Sequence, residues 1–187
     1  QLGRRADHES EAGLRALQGR IVEAAEVLER MRSRPWAPRT WEKHDLASGE
    51  VLLAVEQQDL GAAFDGAMER LEALKIAPWT MVPLDLGLLI YPAYGRLEQA
   101  RSAEGPERKL RLRQARRAVR TLRSGRRMPI VRAHRVVARA ALHEVSGRPE
   151  RALRTLNRGE PRLRALDAPL VVFEAALVRA RAARALG

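Results

Sequence analysis

Basic side chains recur between residues 106 and 123 at the spacing of one helix face. At 100° per residue and with Ala115 as the origin, they fill an arc from about 80° to 200°, and apolar residues lie within about 60° of Ala115. The 109–123 basic face consists of Lys109, Arg113, Arg116, Arg117, Arg120 and Arg123. Glu107 is the only acidic residue of this segment and lies outside the arc. Because like charges at helical spacing repel, an acidic partner would stabilise such a face.

Three interpretations of the 109–123 basic face stay open. It is a solvated surface of an arginine-rich chain, or it binds an acidic protein surface or peptide, or it binds nucleic-acid phosphates. The acidic surface could belong to another domain of the same polypeptide. Arginine pairs bidentately with carboxylates and with phosphates, and phosphate binding would depend strongly on salt. The face carries no interleaved aromatic residue for stacking on bases, which counts against nucleic acid.

Aromatic residues are concentrated between residues 36 and 94. Tryptophan and tyrosine supply much of the binding energy when a partner buries them. Four of them are candidate anchors in a groove: Trp41, Trp79, Tyr91 and Tyr94. The alternative is that these rings fill the seams between neighbouring helical repeats. A pocket for a small molecule near Trp79 and Tyr91 is a third hypothesis, which would make the chain a sensor.

Motifs for catalysis or cofactor binding are missing from the sequence. There is no phosphate-binding loop, no dinucleotide fingerprint, no nucleophile elbow and no HExxH pair. His134 and His143 are nine residues apart, which places them on opposite sides of a helix and prevents them from sharing a metal ion. We therefore expect no enzymatic activity, no metal and no cofactor.

The charge is unevenly distributed along the 187 residues. The net charge is +12, yet residues 1–100 hold 12 basic against 16 acidic residues, whereas residues 101–127 hold 11 against 2. This polarity indicates an acidic partner, although an arginine-rich composition is an alternative explanation. The chain has no cysteine and no apolar run long enough to span a membrane, so we expect a cytoplasmic location. It begins at Gln1, without an initiator methionine, and we expect a fragment of a larger protein.

The dipeptide Ala-Pro recurs at Ala37-Pro38, Ala77-Pro78 and Ala168-Pro169, with Met128-Pro129 as a degraded copy. Proline is accepted in the first turn of a helix but ends a preceding one, so each copy predicts a boundary between helix pairs. A period near 40 residues is typical of stacked helical repeats. The predicted fold is all-α, one domain with about nine helices. Its approximate repeats are 8–36, 37–76, 77–127, 128–167 and 168–187.

Local signals place the turns and predict two irregular helices. Gly19 and Gly147 mark tight turns, and the apolar spacing puts Phe64, Met68 and Leu71 on one face. Pro92 is expected to kink or split its helix. The run Gly159-Glu160-Pro161 is likewise expected to bend or break the helix that begins at Pro149.

Helix–turn–helix segments of the chain resemble the tetratricopeptide-like superfamily. The run 147–153 looks like the family's turn, with Ala140 twelve residues before Ala152, and then Leu156 and Gly159. A second match begins at Gly19, and its matching residues are Ala12, Ala24, Leu28 and Met31. A looser match runs through Val51, Ala63 and Ala67. The repeat length near 40 resembles the C-terminal helical arms of large bacterial signal-transduction ATPases and of their kinase- or cyclase-fused relatives.

This resemblance implies a right-handed superhelix of antiparallel helix pairs, with the first helices lining a concave face. It favours a protein-interaction or regulatory module of a multidomain bacterial signalling protein. A nucleic-acid-binding helical repeat and a small-molecule sensor are the alternatives. The last segment, residues 169–186, is apolar on most sides, and we expect it either to be covered or to form a homodimer contact.

Overall fold

The computed structural model describes residues 12–13, 15–16, 18–33, 40–75, 87–125, 127–166 and 168–187. Every regular element in these ranges is helical, as the sequence predicts. The helices are α1 Ile21–Arg32, α2 Thr40–Glu56, α3 Ala62–Ala73, α4 Gly87–Ser102, α5 Gly105–Thr121, α6 Pro129–Val145, α7 Pro149–Arg164 and α8 Pro169–Arg184. Ahead of α1, residues 12–13 and 15–16 are also helical.

The chain divides into two compact units, Gln1–Gly95 and Arg96–Gly187. In the N-terminal unit, α2 packs against both α1 and α3. In the C-terminal unit, α6 packs against α5, α7 and α8, and α8 also contacts α7. The expectation of one continuous repeat domain stays a prediction.

Proline and glycine set the helix boundaries where the sequence places them. Pro129, Pro149 and Pro169 each open a helix, because the first turn of a helix leaves its N–H groups without intrahelical acceptors. Gly19 and Gly147 adopt φ values of +73° and +71° in the tight turns that precede α1 and α7. This left-handed conformation carries a steric cost for residues with a Cβ atom. The copies at Pro38 and Pro78 lie outside the described residues.

Neither expected helix interruption divides its helix. Helix α4 continues through Pro92, and α7 continues through Pro161, so the predicted split at Pro92 and the predicted break at Gly159-Glu160-Pro161 are wrong. The alternatives, a kink at Pro92 and a bend at Gly159-Glu160-Pro161, stay predictions. Each proline removes one backbone hydrogen bond. Buried residues on both sides of each proline keep the helices packed, among them Leu89 and Leu97 in α4 and Leu156 and Leu163 in α7.

The core of the N-terminal unit is built around Phe64. Its side chain is fully buried and packs in a cluster whose other buried members are Val51, Ala54, Ala67 and Met68. Leu71 adds to the cluster from the same helix, as the apolar spacing of α3 predicts. A Cβ atom added to Gly95 would lie 2.4 Å from the ring atom Cζ of Phe64. The ring therefore packs directly on the backbone of α4.

The three residues of the looser repeat match differ in burial. Val51 and Ala67 are buried, whereas Ala63 is exposed and its neighbour Phe64 holds the buried position near the start of α3. In α1 and α7 the matched residues Ala24 and Ala152 are fully buried. The resemblance itself stays a prediction. In α3 a large ring occupies the place of a small residue, and Gly95 provides the room.

Helices α6 and α7 meet through small residues. Ala140 of α6 and Ala152 of α7 are both fully buried. A Cβ atom on Gly159 would lie only 2.4 Å from Cγ1 of Val136. The absence of a side chain at position 159 therefore sets how closely the two helices approach.

A buried carboxylate joins the three helices of the N-terminal unit that are centred on α2. Glu50 of α2 is nearly inaccessible, and its Oε1 accepts hydrogen bonds from Nε and Nη2 of Arg32 at 3.0 and 2.7 Å. Its Oε2 accepts from Nε and Nη2 of Arg70 at 2.9 and 2.6 Å. Arg32 ends α1 and Arg70 lies in α3, so one side chain fastens both neighbours to α2.

We expect Glu50→Gln to lower the free energy of unfolding by about 1–2 kcal/mol. The amide would present an N–H group to one guanidinium, while the partial exposure of both arginines limits the loss. Urea unfolding followed by circular dichroism measures the change. Glu69→Gln on α3 is the matched control, because Glu69 is exposed, and its effect should stay within about 0.5 kcal/mol. Equal effects of the two substitutions would contradict the role of Glu50.

Candidate basic interface

The 109–123 basic face lies along the exposed side of α5, and its last member, Arg123, lies in the turn that follows the helix. Every member of the face is exposed, whereas Ala115, Val119 and Leu122 on the opposite side are buried. The apolar side faces the protein because α5 packs against α6. Helix α5 is therefore amphipathic, as its sequence predicts. The binding role of its basic side stays a prediction.

Most of the 109–123 basic face has no carboxylate partner among the residues that the structure describes. Glu107, the one acidic residue of α5, accepts a hydrogen bond at 3.0 Å from Nε of Arg111, which is not a member of the face. Within the described ranges, five members of the face form no ion pair: Lys109, Arg113, Arg116, Arg120 and Arg123.

Arg108 connects the first turn of α5 to the end of α6. Its Nη2 donates a hydrogen bond to the carbonyl oxygen of Val145 at 2.9 Å, and its Nη1 donates to that of Ala103 at 3.3 Å. Val145 is the last residue of α6, where carbonyl groups have no intrahelical donors. The contact places the start of α5 beside the turn that leads into α7.

A second arginine stripe on α7 was not predicted from the sequence. With Ala152 as the origin, four arginines occupy an arc from about 200° to 280°, opposite the buried residues of the helix. The 151–162 basic face consists of Arg151, Arg154, Arg158 and Arg162, all of them exposed. In the described part of the chain none of the four pairs with a carboxylate. Their spacing of three, four and four residues is typical of one helix face. It was not interpreted as a face because a helix break was expected near Gly159.

The positive charge at the start of α7 acts on a neighbouring histidine. The pKa of His143 is lowered, first by burial and then by the charges of Arg139, Arg151 and Arg148. Like charges nearby disfavour the protonated imidazole.

Carboxylates of the C-terminal unit pair with arginines outside both basic faces. Glu144 accepts from Arg101 at 2.6 Å, and Glu160 accepts from Arg179 at 2.6 Å and from Arg164 at 3.0 Å. Hydrogen bonds from Arg179 and Arg164 hold the pKa of Glu160 below its ordinary value. These carboxylates are therefore bound by arginines that belong to neither basic face.

Glu98 of α4 also pairs with arginines, and burial affects its pKa. It binds Arg101 of its own helix and accepts from Nη1 of Arg181 of α8 at 3.1 Å. Burial alone would raise the pKa of Glu98, but the hydrogen bonds and charges of Arg101 and Arg181 outweigh it and lower the pKa. Arginine–carboxylate pairing is therefore a recurrent contact between helices of this unit.

Of the four candidate groove anchors, only two have described side chains. Tyr91 packs against the cluster around Phe64 and against a second one formed by Ala16, Ala24 and Leu52. Tyr94 is half-buried. Trp79 and the side chain of Trp41 lie outside the described residues. The packing of Tyr91 favours the alternative interpretation, in which the ring fills a seam between helices.

His134 is a buried titratable group on α6, and its desolvation lowers its pKa to about 4. Because the folded pKa lies below the value of 6.5 expected for the unfolded chain, the unfolded chain binds the proton first as the pH falls. Keeping His134 neutral therefore contributes fully to the unfolding free energy above pH 6.5, and this contribution is lost as the pH falls toward 4.

Between pH 7 and pH 5 we expect His134 to account for a loss of about 1–2 kcal/mol in unfolding free energy. Urea unfolding at both pH values, with wild type and His134→Leu, measures the difference. The variant should lose much of the pH dependence whatever its stability at pH 7. His143→Gln is the control for the other histidine of α6, and an unchanged pH dependence in His134→Leu would contradict the assignment.

Helix α8 exposes an apolar side. Val171, Ala175, Val178 and Ala182 are buried, whereas Leu170, Val172 and Phe173 are exposed. The exposed residues agree with a segment that is apolar on most sides. The expected homodimer contact through this helix stays a prediction.

The described residues include no group of three or more histidine, cysteine or acidic side chains that could hold a metal ion. None of the helices described is long and apolar enough to cross a membrane.

Comparison of the chain with protein-family models, with curated proteins and with solved structures finds no match. The resemblance to tetratricopeptide-like arms therefore stays a prediction. What the chain binds is inferred from its own surfaces.

Proposed function

We propose that this chain is a protein-interaction and regulatory module that binds an acidic protein segment through the 109–123 basic face. In this proposal it belongs to a larger cytoplasmic signalling protein of bacterial type. Its helices form antiparallel pairs in a right-handed superhelix that presents the face. Binding of the acidic segment, in the same or another polypeptide, is coupled to an effector domain.

The observation that carries the proposal is the uncompensated charge of α5. Five exposed cations of one helix face lack a carboxylate partner among the described residues, although arginine–carboxylate pairs recur elsewhere in the same unit. Like charges at helical spacing destabilise the helix by a few tenths of a kcal/mol per pair. An acidic segment would remove this repulsion and add bidentate hydrogen bonds to guanidinium groups.

The charge difference between the units argues against composition as the sole cause. The N-terminal unit holds 11 basic and 15 acidic residues, whereas the C-terminal unit holds 24 basic and 8 acidic residues. A general bias toward arginine codons would act on both halves of one gene. The excess is confined to the unit that carries the exposed arginines, which supports a binding role.

The test uses fluorescence anisotropy of a labelled poly-glutamate probe of about 30 residues at about 50 mM salt, where exposed charges are weakly screened. Arg113→Glu, Arg116→Glu and Arg120→Glu, combined in the full chain, should weaken binding at least about tenfold. The control variant reverses three exposed cations of the N-terminal unit, Arg30, Lys43 and Lys75. It changes the net charge equally, so similar losses in both variants would contradict the proposal.

Nucleic acid is the second candidate partner, because the C-terminal unit carries 24 basic against 8 acidic residues. Sequence-independent binding to duplex phosphates requires only such charge. Duplex DNA of matched charge is therefore tested in the same assay. Tighter binding of DNA than of poly-glutamate, lost on reversal of the same three arginines, would replace the acidic protein by nucleic acid.

A further inference from the structure

We infer that the 151–162 basic face is a second contact surface for the same acidic polypeptide. This inference rests on the proposed function and names a property of the partner. The partner must be an extended acidic segment, or carry two acidic clusters, so that it contacts both α5 and α7.

The continuity of α7 creates the second surface. Because the helix runs unbroken from Pro149 to Arg164, Arg162 stays in phase with Arg151, Arg154 and Arg158. A break at Gly159 would have turned Arg162 away from the other three. The four guanidinium groups thus follow one line along the helix, over about 16 Å from first to last.

The side chains of the second face are available for a partner. All four arginines are exposed, and within the described ranges none of them forms an ion pair. Glu160 cannot neutralise them, because it is bound by Arg164 and Arg179. Arg148 and Arg151 also lie near His143, whose pKa is lowered first by burial and then by the charges of Arg139, Arg151 and Arg148.

The two helices that carry the basic faces begin near the same end of α6 in the C-terminal unit. Arg108, one residue before Lys109, binds the carbonyl oxygen of Val145 at 2.9 Å. Helix α7 begins at Pro149, four residues after Val145, and its first stripe arginine is Arg151. Since α6 packs against both α5 and α7, a partner long enough to pass this end of α6 would contact both faces.

The chemistry of the two faces favours carboxylates over nucleotide bases. Phe173 on α8 is the single aromatic residue of the C-terminal unit, so neither face contains a ring on which bases could stack. The same unit binds its own carboxylates with arginines at 2.6 to 3.1 Å, as at Glu144, Glu160 and Glu98. A partner's glutamate or aspartate side chains would repeat these contacts on the exposed faces.

The experiment compares three variants of the full chain with wild type, using the poly-glutamate probe of about 30 residues. One variant reverses Arg113, Arg116 and Arg120, the second reverses Arg151, Arg154 and Arg158, and the third combines all six substitutions. We expect each triple variant to lose about tenfold in affinity and the combined variant at least about a hundredfold, because linked contacts add. The triple variant with Arg30, Lys43 and Lys75 reversed is the control for net charge and should lose less than about threefold.

The outcomes separate this inference from the proposed function. If the α7 variant binds like the control while the α5 variant is weakened, the second face is excluded and the proposed function stands. If both variants bind like the control, both proposals fail. Tighter binding of charge-matched duplex DNA that depends on the same arginines would overturn the acidic polypeptide as the partner.

Folding of the variants is controlled separately. Circular dichroism must show wild-type helix content, since glutamate within α7 could alter stability. A parallel series with Arg→Gln at the same positions removes charge without introducing repulsion. It should give the same order of affinities, and an unchanged affinity in the α7 glutamine variant would also overturn the second contact.

Discussion

Phe64→Ala is expected to lower the unfolding free energy of the N-terminal unit by about 3–5 kcal/mol. The ring is fully buried among Val51, Ala54, Ala67 and Met68, and it contacts helix α4 at Gly95. Its removal takes away apolar burial and leaves a cavity that the helices can fill only in part. Urea unfolding monitored by circular dichroism at 222 nm, the usual wavelength for helices, measures the loss. A loss below about 1 kcal/mol would contradict the described core.

A double-mutant cycle with Gly95→Ala tests the same packing more sharply. In wild type the new Cβ atom would lie 2.4 Å from the ring of Phe64, so Gly95→Ala should cost about 1–3 kcal/mol. In the Phe64→Ala background the main clash is gone, and the methyl group should be neutral or stabilising. Additive effects of the two substitutions would show that Phe64 and Gly95 are not in contact.

Gly159→Ala should destabilise the C-terminal unit by about 1–3 kcal/mol, although alanine favours helices. The added Cβ atom would lie 2.4 Å from Cγ1 of Val136, a β-branched side chain with little freedom to move away. Helices α6 and α7 would have to separate. Urea unfolding followed by circular dichroism of the full chain measures the shift.

Gly66→Ala is the matched control for this prediction. Gly66 also lies inside a helix, α3, but the nearest atom to its added Cβ is Nη1 of Arg70 at 3.4 Å, which is an ordinary van der Waals distance. Here the helix propensity should prevail, and we expect stabilisation by about 0.5–1 kcal/mol. Destabilisation by both substitutions would mean that close packing is not what distinguishes Gly159.

The helices and their turns were largely predictable because their signals are local. Pro129, Pro149 and Pro169 open helices, and Gly147 adopts the left-handed conformation expected of a turn. The buried side of α3 follows from apolar spacing. These features depend on residues within one or two turns of each other, which a sequence pattern displays directly.

The features that could not be predicted depend on contacts between distant residues. Glu50 meets Arg32 and Arg70, which lie 18 and 20 positions away, and no local spacing indicates this. Pro92 and Pro161 stay inside helices because packing on both sides outweighs one missing hydrogen bond. A sequence rule for proline considers only the lost backbone hydrogen bond, because the packing contacts come from residues that are distant in the sequence.

One of the two basic faces was predictable from the sequence and the other was not. The 109–123 basic face was predicted because a segment with one acidic residue makes the charge pattern plain. The 151–162 basic face was missed, since Glu150 and Glu160 interrupt the pattern and a break was expected at Gly159. The ion pairs of Glu160 with Arg164 and Arg179 lead away from the face, and only the fold shows it.

An NMR titration of the full chain with poly-glutamate, observing the arginine side-chain Nε–Hε resonances, tests directly whether both basic faces bind one acidic polypeptide. We expect the resonances of Arg113, Arg116 and Arg120 to shift together with those of Arg151, Arg154 and Arg158. The resonance of Arg70, already bound to Glu50, should stay in place. Shifts spread evenly over all exposed arginines, or shifts absent from both faces, would contradict the account.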